Sequence, residues 1–126
     1  MLPVCDSRGS VVAWLDSGRI LDLRGAFHAF IHAGAVFSYS GGYLGTFTSG
    51  FFRDKQGHPV AFVEGAMNGP HLPVAGFPPV PPPVGVEPRQ PILPVPPNPP
   101  TPARSWSGMN WAEYMELAAP ESMERG

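Results

Sequence analysis

Hydrophobic and polar positions recur with a period of sixteen residues along the first half of the chain. Four segments align without a gap: PVCDSRGSVVAWLDSG from Pro3, RILDLRGAFHAFIHAG from Arg19, AVFSYSGGYLGTFTSG from Ala35 and FFRDKQGHPVAFVEGA from Phe51. In every segment a short stretch that favours a strand is followed by Asp or Ser and, three residues later, by glycine. These glycines are Gly9, Gly25, Gly41 and Gly57. That spacing is typical of a turn closed by glycine, so each segment predicts a β-hairpin.

The second strand of each predicted hairpin has two faces, because successive side chains of a strand point in opposite directions. One face would carry three apolar layers: Val11, Phe27, Tyr43 and Pro59; Ala13, Ala29, Gly45 and Ala61; Leu15, Ile31, Phe47 and Val63. The middle layer is always small, as expected if four equivalent side chains meet at a crowded pseudo-fourfold axis. The sequence therefore predicts an all-β fold of four hairpins around such an axis over residues 3–66.

The opposite face of the same strands would carry Val12, His28, Leu44 and Val60, followed by Trp14, Phe30, Thr46 and Phe62. This face is too apolar to lie bare in water, so we expect a neighbouring hairpin, the rest of the chain or another protomer to cover it. Trp14, Phe30 and Phe62 are the predicted anchors of these contacts. An alternative exists for the second segment, because GAFHAFIHAG from Gly25 to Gly34 also suits a short helix.

Prolines are concentrated in the second half of the chain, where they follow a three-residue register. From Pro70 to Pro100 every third residue is proline or glycine, and the residue after it is apolar over much of this stretch. A polyproline II helix has three residues per turn, so these columns predict two edges of one such helix over residues 67–104. The register favours packing on this chain or on another protomer. The alternatives are a disordered linker and a ligand displayed to proline-binding domains.

The last segment, residues 105–126, contains a predicted short helix at about residues 110–119. Asn110 and Glu113 have the spacing of a capping pair at its start, and Pro120 would end it. One side of the helix would carry Trp111, Tyr114, Met115 and Ala118. A helix this short is unstable alone, so we expect it to dock on the hairpin domain or on a partner, with Trp106 and Trp111 as anchors.

Composition then narrows the functional classes. The chain has 126 residues, of which 18 are proline and 15 glycine, and its net charge of −2 gives no basic footprint for nucleic acid. No segment has the apolar length of a transmembrane helix, and the N-terminus lacks the pattern of a secretory signal. Cys5 is the only cysteine. It excludes an intrachain disulfide and fits a reducing compartment, so we expect a cytoplasmic protein.

Few polar residues are placed to carry chemistry. The repeat creates one polar level, here called the rim, with one residue from each hairpin: Asp16, His32, Thr48 and Glu64. The rim would suit a small ligand or a cation with His28 nearby, although such a level is more often simply solvated. No catalytic motif or phosphate-binding loop is present. The sequence therefore predicts no catalytic residue and no cofactor.

Two further patterns look like chemistry but have simpler explanations. Asp6, Asp22 and Asp54 share one turn position, where their side chains would cap the turn backbone rather than form a carboxylate cluster. His28 and His32 would lie about 13 Å apart on one strand, too far to bind a metal together. The sequence therefore predicts no metal site.

The four segments, the three-residue proline repeat and the phrase ARSWS that follows it resemble the bacterial four-fold beta flower domain proteins, from about Val4 to Ser107. The resemblance implies a small pseudo-symmetric β domain with a repeat-rich tail, in a family that supplies no biochemical role and no catalytic residues to carry over. Related tails are richer in Lys or Arg at the third place. This tail has only Arg89 and Arg104, which argues against an anionic partner.

These observations favour a non-enzymatic structural or protein-interaction module. In this hypothesis the proline tract and the terminal helix pack on the hairpin domain or on other protomers. We expect a protein partner or self-association into a homo-oligomer, without binding to nucleic acid or membranes. The alternative is a small-molecule or ion-binding domain that uses the rim.

Overall fold

A computed structural model of the protein describes residues 1–117. Each sixteen-residue segment forms two antiparallel strands, and all eight strands pair in chain order, with the last beside the first, so that the sheet closes into a barrel. The strands and the helix are β1 (Leu2–Asp6), β2 (Val11–Asp16), β3 (Arg19–Leu21), β4 (Phe27–His32), β5 (Ala35–Ser38), β6 (Tyr43–Thr48), β7 (Phe51–Arg53), β8 (Pro59–Phe62) and α1 (Trp111–Glu116). The predicted all-β fold with a short C-terminal helix is confirmed. The helical alternative for Gly25 to Gly34 is wrong, because this segment contains β4.

The turn inside each hairpin is stabilised by the side chain at its first position. Asp6, Asp22 and Asp54 each accept two backbone hydrogen bonds on one carboxylate oxygen, from the residues two and four places later. In the third hairpin the hydroxyl of Ser38 accepts the N–H of Gly42. These side chains thus cap the turns. The glycine that follows has a φ of 86° to 96° in all four turns, a conformation that glycine adopts without steric cost.

A β-bulge in each hairpin changes which side chains face the barrel interior. The strand register shifts at the same place every time, between Val4 and Cys5, Ile20 and Leu21, Val36 and Phe37, and Phe52 and Arg53. A bulge sets two residues against one, so strict alternation fails there. Val12, Leu44 and Val60 therefore pack in or against the central core, whereas Val11 and Tyr43 pack in outer clusters. The predicted faces of these two levels are wrong for that reason.

The helix α1 packs into the end of the barrel that carries the hairpin turns. Trp111 and Tyr114 belong to the same buried core as Ala13. The Tyr114 hydroxyl donates a hydrogen bond of 3.1 Å to the carbonyl oxygen of Arg53, and it would lie 3.1 Å from a β-carbon built on Gly45. Burial raises the pKa of Tyr114 above its usual range, so the hydroxyl keeps its proton. The layer of small residues therefore leaves room for the helix.

The start of α1 follows the predicted capping pattern. The Asn110 side chain accepts the backbone N–H of Glu113 at 2.8 Å, and the Glu113 carboxylate accepts the backbone N–H of Asn110 at 2.9 Å. Ala118 and Pro120, predicted on the helix and at its end, lie outside the described residues. Within residues 1–117 no helix is long and apolar enough to cross a membrane.

Candidate functional site

Residues 70–103, which we call the proline belt, pass over the hairpin turns one after another. Backbone N–H groups of the belt donate hydrogen bonds to the carbonyl oxygens of turn glycines: Gly76 to Gly9 (2.8 Å), Gly85 to Gly25 (3.2 Å) and Ala103 to Gly57 (3.0 Å). The donors are spaced by multiples of nine residues, and the acceptors by multiples of sixteen. Nine residues contain three steps of the three-residue register, so the same edge of the belt returns to the barrel at each turn.

The third turn lacks this hydrogen bond because the belt has a proline there. Pro94 lies nine residues after Gly85 and has no N–H to donate to Gly41. The belt atom nearest to a β-carbon built on Gly41 is 3.9 Å away, in Pro91. At the first two turns such a carbon would overlap a carbonyl oxygen of the belt. The belt is therefore held more closely at the other turns than at the third.

The two edges of the belt differ in exposure. Half-buried prolines recur every nine residues beside the turn glycines, at Pro73, Pro82, Pro91 and Pro100. The residues that directly follow each proline or glycine of the three-residue register form the other edge, which points away from the barrel. Six large apolar side chains on this edge, which we call the outer edge, are 87–100% exposed: Val74, Phe77, Val80, Val86, Ile92 and Val95. The Pro/Gly edge therefore makes the barrel contacts, and the apolar edge is bare. The polyproline II conformation itself stays a prediction.

Arg53 links both ends of the belt to the barrel. Its side chain is 1% exposed, and Nη1 donates to the carbonyl oxygens of Gly57 and Ala103, each at 2.7 Å. Nη2 donates to the carbonyl oxygen of Asn68 at 3.0 Å, and the guanidinium lies 5.3 Å from the ring centroid of Phe51. Burial lowers the pKa of Arg53, but a guanidinium remains charged in proteins. One buried cation thus holds the segments that enter and leave the belt.

Glu87 holds the middle of the belt. Its carboxylate accepts hydrogen bonds from the Gln90 amide at 2.9 Å, from Nε of Arg19 at 3.1 Å and from the Tyr39 hydroxyl at 3.0 Å. These hydrogen bonds, led by the one from Gln90, lower the pKa of the Glu87 carboxyl. The ionised carboxylate therefore stabilises the folded chain fully at pH values above the pKa that Glu87 has in the unfolded chain. This contribution is lost as the pH falls through the lower pKa that Glu87 has in the folded chain.

The predicted aromatic anchors pack within the chain. Four of them are at most 7% exposed, namely Trp14, Phe30, Phe62 and Trp111. The fifth, Trp106, is half-buried, and its ring centroid lies 6.0 Å from that of Phe51 and 6.1 Å from that of Phe62. The belt residue Leu93 packs against the cluster around Phe30. These aromatic side chains therefore make packing contacts between segments of the same chain.

The rim lies at the opposite end of the barrel from α1. Asp16 is half-buried, while His32, Thr48 and Glu64 are exposed. None of the four lines either of the two cavities beside α1. No group of three His, Cys, Asp or Glu side chains among the first 117 residues is placed to hold a metal ion. Ligand binding at the rim stays a prediction.

Two cavities flank α1 at the turn end of the barrel. The larger has a volume of about 620 Å³ and a mixed lining that includes Asp6, Arg8 and Asn110. The smaller, about 290 Å³, is mostly apolar, and His28 and Asp22 are its polar lining residues. His28 was predicted near the rim. The structure places it instead beside the helix, because the bulge turns this level towards the core.

His28 and Asp22 form a hydrogen-bonded pair, with 2.9 Å between Nε2 of the imidazole and Oδ2 of the carboxylate. Partial burial alone would raise the pKa of Asp22. Hydrogen bonds from His28 and from the backbone N–H groups of Ala26 and Arg24 outweigh this effect and lower it. The Asp22 carboxylate is therefore ionised at neutral pH and accepts a hydrogen bond from the Nε2–H of His28.

The family described as 4-fold beta flower protein matches residues 3–115. The chain belongs to this family. The match covers the barrel, the belt and most of α1, so both parts of this beta flower protein fall inside the family's boundaries. No curated protein and no solved structure matches the chain.

Sequence reasoning missed two important residues of this beta flower protein, although each leaves a signal. Arg53 stands where the other three hairpins have Cys5, Leu21 and Phe37, so it is a charge at a buried position of the repeat. Glu87 is the only acidic residue between Pro70 and Pro102. In both cases one charged residue stands among equivalent positions of the repeat that are otherwise uncharged. A charged residue at such a position is a reason to look for a specific hydrogen-bonded partner.

Proposed function

We propose that this beta flower protein is a non-enzymatic structural and protein-interaction module that associates with further copies of itself through the outer edge of the belt. The observation that carries the proposal is a row of six apolar side chains, all nearly fully exposed, on a segment whose other edge is fixed to the barrel. Folded proteins rarely leave an apolar row of this kind in water, and such rows mark interaction sites.

The attachment of the belt favours binding. The belt is fixed in one path over the barrel by backbone hydrogen bonds at three turns. Arg53 adds contacts at both ends, and Glu87 adds contacts in the middle. A segment ordered before association loses less conformational entropy when it binds. The outer edge is therefore a preorganised surface, unlike the same residues in a free proline-rich chain.

A second copy of the chain is the partner that best fits this surface. Twofold dimers are the commonest oligomers, and in such a dimer an exposed surface of one chain meets the same surface of the second copy. The net charge of −2 gives little repulsion between copies, and Arg89 is the only Lys, Arg, Asp or Glu in the column of residues that carries the outer edge. A stable interface buries on the order of 800 Å² per partner, so association requires the second copy to cover several of the six exposed apolar side chains.

Displayed proline motifs are a weaker proposal. In the segments 79–82 and 91–94, Pro82 and Pro91 are half-buried against the turns. A proline-binding domain would have to lift the belt from the barrel to reach that edge.

A cytoplasmic location remains part of the proposal, because a single buried cysteine suits a reducing compartment.

The double substitution Phe77→Ser and Ile92→Ser tests the association. Both side chains are 100% exposed, so the change should leave the free energy of unfolding within about 0.5 kcal/mol of the parent. Each buried apolar side chain contributes about 1.5–3 kcal/mol to an interface, so we expect self-association to weaken by about 100-fold or more. Light scattering at increasing concentration of the full chain measures the mass.

The matched control is the double substitution Leu23→Ser and Met67→Ser. These apolar side chains are also exposed, by 41% and 64%, but lie outside the outer edge. We expect this variant to associate like the parent. A parent chain that stays monomeric over the whole concentration range would contradict the proposal, as would equal weakening by both double substitutions.

A further inference from the structure

The smaller cavity exists because one helix occupies only part of the space inside the four-hairpin barrel. On the side of the third and fourth hairpins, Tyr114 fills the space next to Gly45 and hydrogen-bonds to Arg53. On the side of the first two hairpins, Ile20 occupies the place that Phe52 has in the fourth. This smaller side chain, with no counterpart of Tyr114 beside it, leaves about 290 Å³ unfilled.

The lining of this cavity combines apolar walls with one polar pair. Val12, Ala13, Ile20, Leu21, Trp111 and Met115 form the apolar part. The ring of Trp111 offers a surface on which an aromatic ring can pack. A volume of this size is at the lower end of the range for ligand pockets, so it fits a molecule of about one ring.

One member of the pair, His28, sits where the other hairpins are apolar. The positions equivalent to His28 are Val12, Leu44 and Val60. In the imidazole tautomer whose Nε2–H donates to the Asp22 carboxylate, Nδ1 carries a lone pair and can accept a hydrogen bond. Within the part of the chain that the structure describes, Nδ1 of His28 makes no hydrogen bond. Of the two imidazole tautomers, the hydrogen bond to Asp22 thus selects the one in which Nδ1 is the acceptor.

We propose that this cavity binds a small one-ring aromatic molecule whose hydroxyl group donates a hydrogen bond to Nδ1 of His28. The apolar walls bury the ring, and the imidazole distinguishes a phenol from a hydrocarbon of the same size. This site is separate from the outer edge of the belt, so the self-association proposal and this one stand or fall independently.

Titration of the full chain with phenol and with toluene tests the site. Both probes have one ring and one substituent, but only phenol carries a hydroxyl group. Backbone amide NMR shifts of Ala13, Ile20 and Leu21 report occupancy. We expect phenol to bind about 2- to 10-fold more tightly than toluene, as one hydrogen bond contributes about 0.5–1.5 kcal/mol. Equal affinities, or no shift at these amides with either probe, would overturn the proposal.

Two variants locate the hydrogen bond and the pocket. His28→Leu introduces the residue that the third hairpin has, and should reduce phenol affinity about 2- to 10-fold while leaving toluene affinity unchanged. His32→Leu is the control, because His32 lies on the same strand but is exposed at the rim. Met115→Phe, at a half-buried position of α1, should weaken both probes by filling the cavity. Loss of phenol binding in His32→Leu with no loss in His28→Leu would refute the assignment.

Discussion

Replacing Gly25 with alanine will destabilise the protein by about 3–5 kcal/mol. Two effects add in this variant. The residue has a φ of 94°, which costs a side chain about 1–2 kcal/mol, and the added methyl group would overlap the carbonyl oxygen of Pro83 in the belt. Because backbone cannot yield as a flexible side chain does, either the turn or the belt must move. Urea unfolding of the full chain measures the loss.

Gly34→Ala is the matched control for this result. Gly34 has a φ of 81°, but nothing lies within 4 Å of the β-carbon that alanine would add. We expect only the conformational cost of about 1–2 kcal/mol. The difference between the two variants measures the contact between belt and barrel. If both lose the same free energy of unfolding, the belt does not pack on the second turn as described.

Replacing Arg53 with leucine, the residue of the second hairpin at this place, will cost about 3–5 kcal/mol of stability. Three carbonyl oxygens, of Gly57, Asn68 and Ala103, lose their charged donor, and hydrogen bonds of charged groups contribute about 1.5–3 kcal/mol each. Leucine gains some apolar burial in return, which is why the expected loss is smaller than the sum. Urea unfolding gives the free energy.

Arg24→Leu provides the comparison for Arg53→Leu. Arg24 is exposed on the turn of the second hairpin, and its side chain makes no hydrogen bond within residues 1–117. The stability change there should stay within about 0.5 kcal/mol. Limited proteolysis should also cut the belt of Arg53→Leu sooner than that of Arg24→Leu. Equal stability and equal cutting of the two variants would show that Arg53 does not hold the belt.

The positions of strands and turns were predictable from the sequence, whereas the orientation of some side chains was not. Gly9 and its three counterparts mark the turns, because only special backbone conformations favour glycine so regularly. The bulge beside Cys5 leaves no mark in the residue types. Alternation therefore assigned Val12 and His28 to the outside, although the bulge turns this level inward. That error hid the connection between His28 and the helix.

The three-residue register of the belt was predictable from the sequence, but its contacts with the barrel were not. Two glycines, Gly76 and Gly85, interrupt the proline column nine residues apart, and both supply the N–H that proline lacks. This spacing becomes meaningful only when a barrel with turns sixteen residues apart is placed beside it. Likewise, the buried position of Arg53 follows from where the belt begins and ends, which no local pattern reveals.

Amide hydrogen exchange along the belt is the most direct test of the claim that it is fixed on the barrel with its apolar edge outward. The account predicts slow exchange at Gly76, Gly85 and Ala103, each hydrogen-bonded to a turn glycine. Phe77 and Val86, whose amides make no hydrogen bond in the described part of the chain, should exchange at least about tenfold faster. Exchange of all five amides at the rate of an unfolded peptide would contradict it.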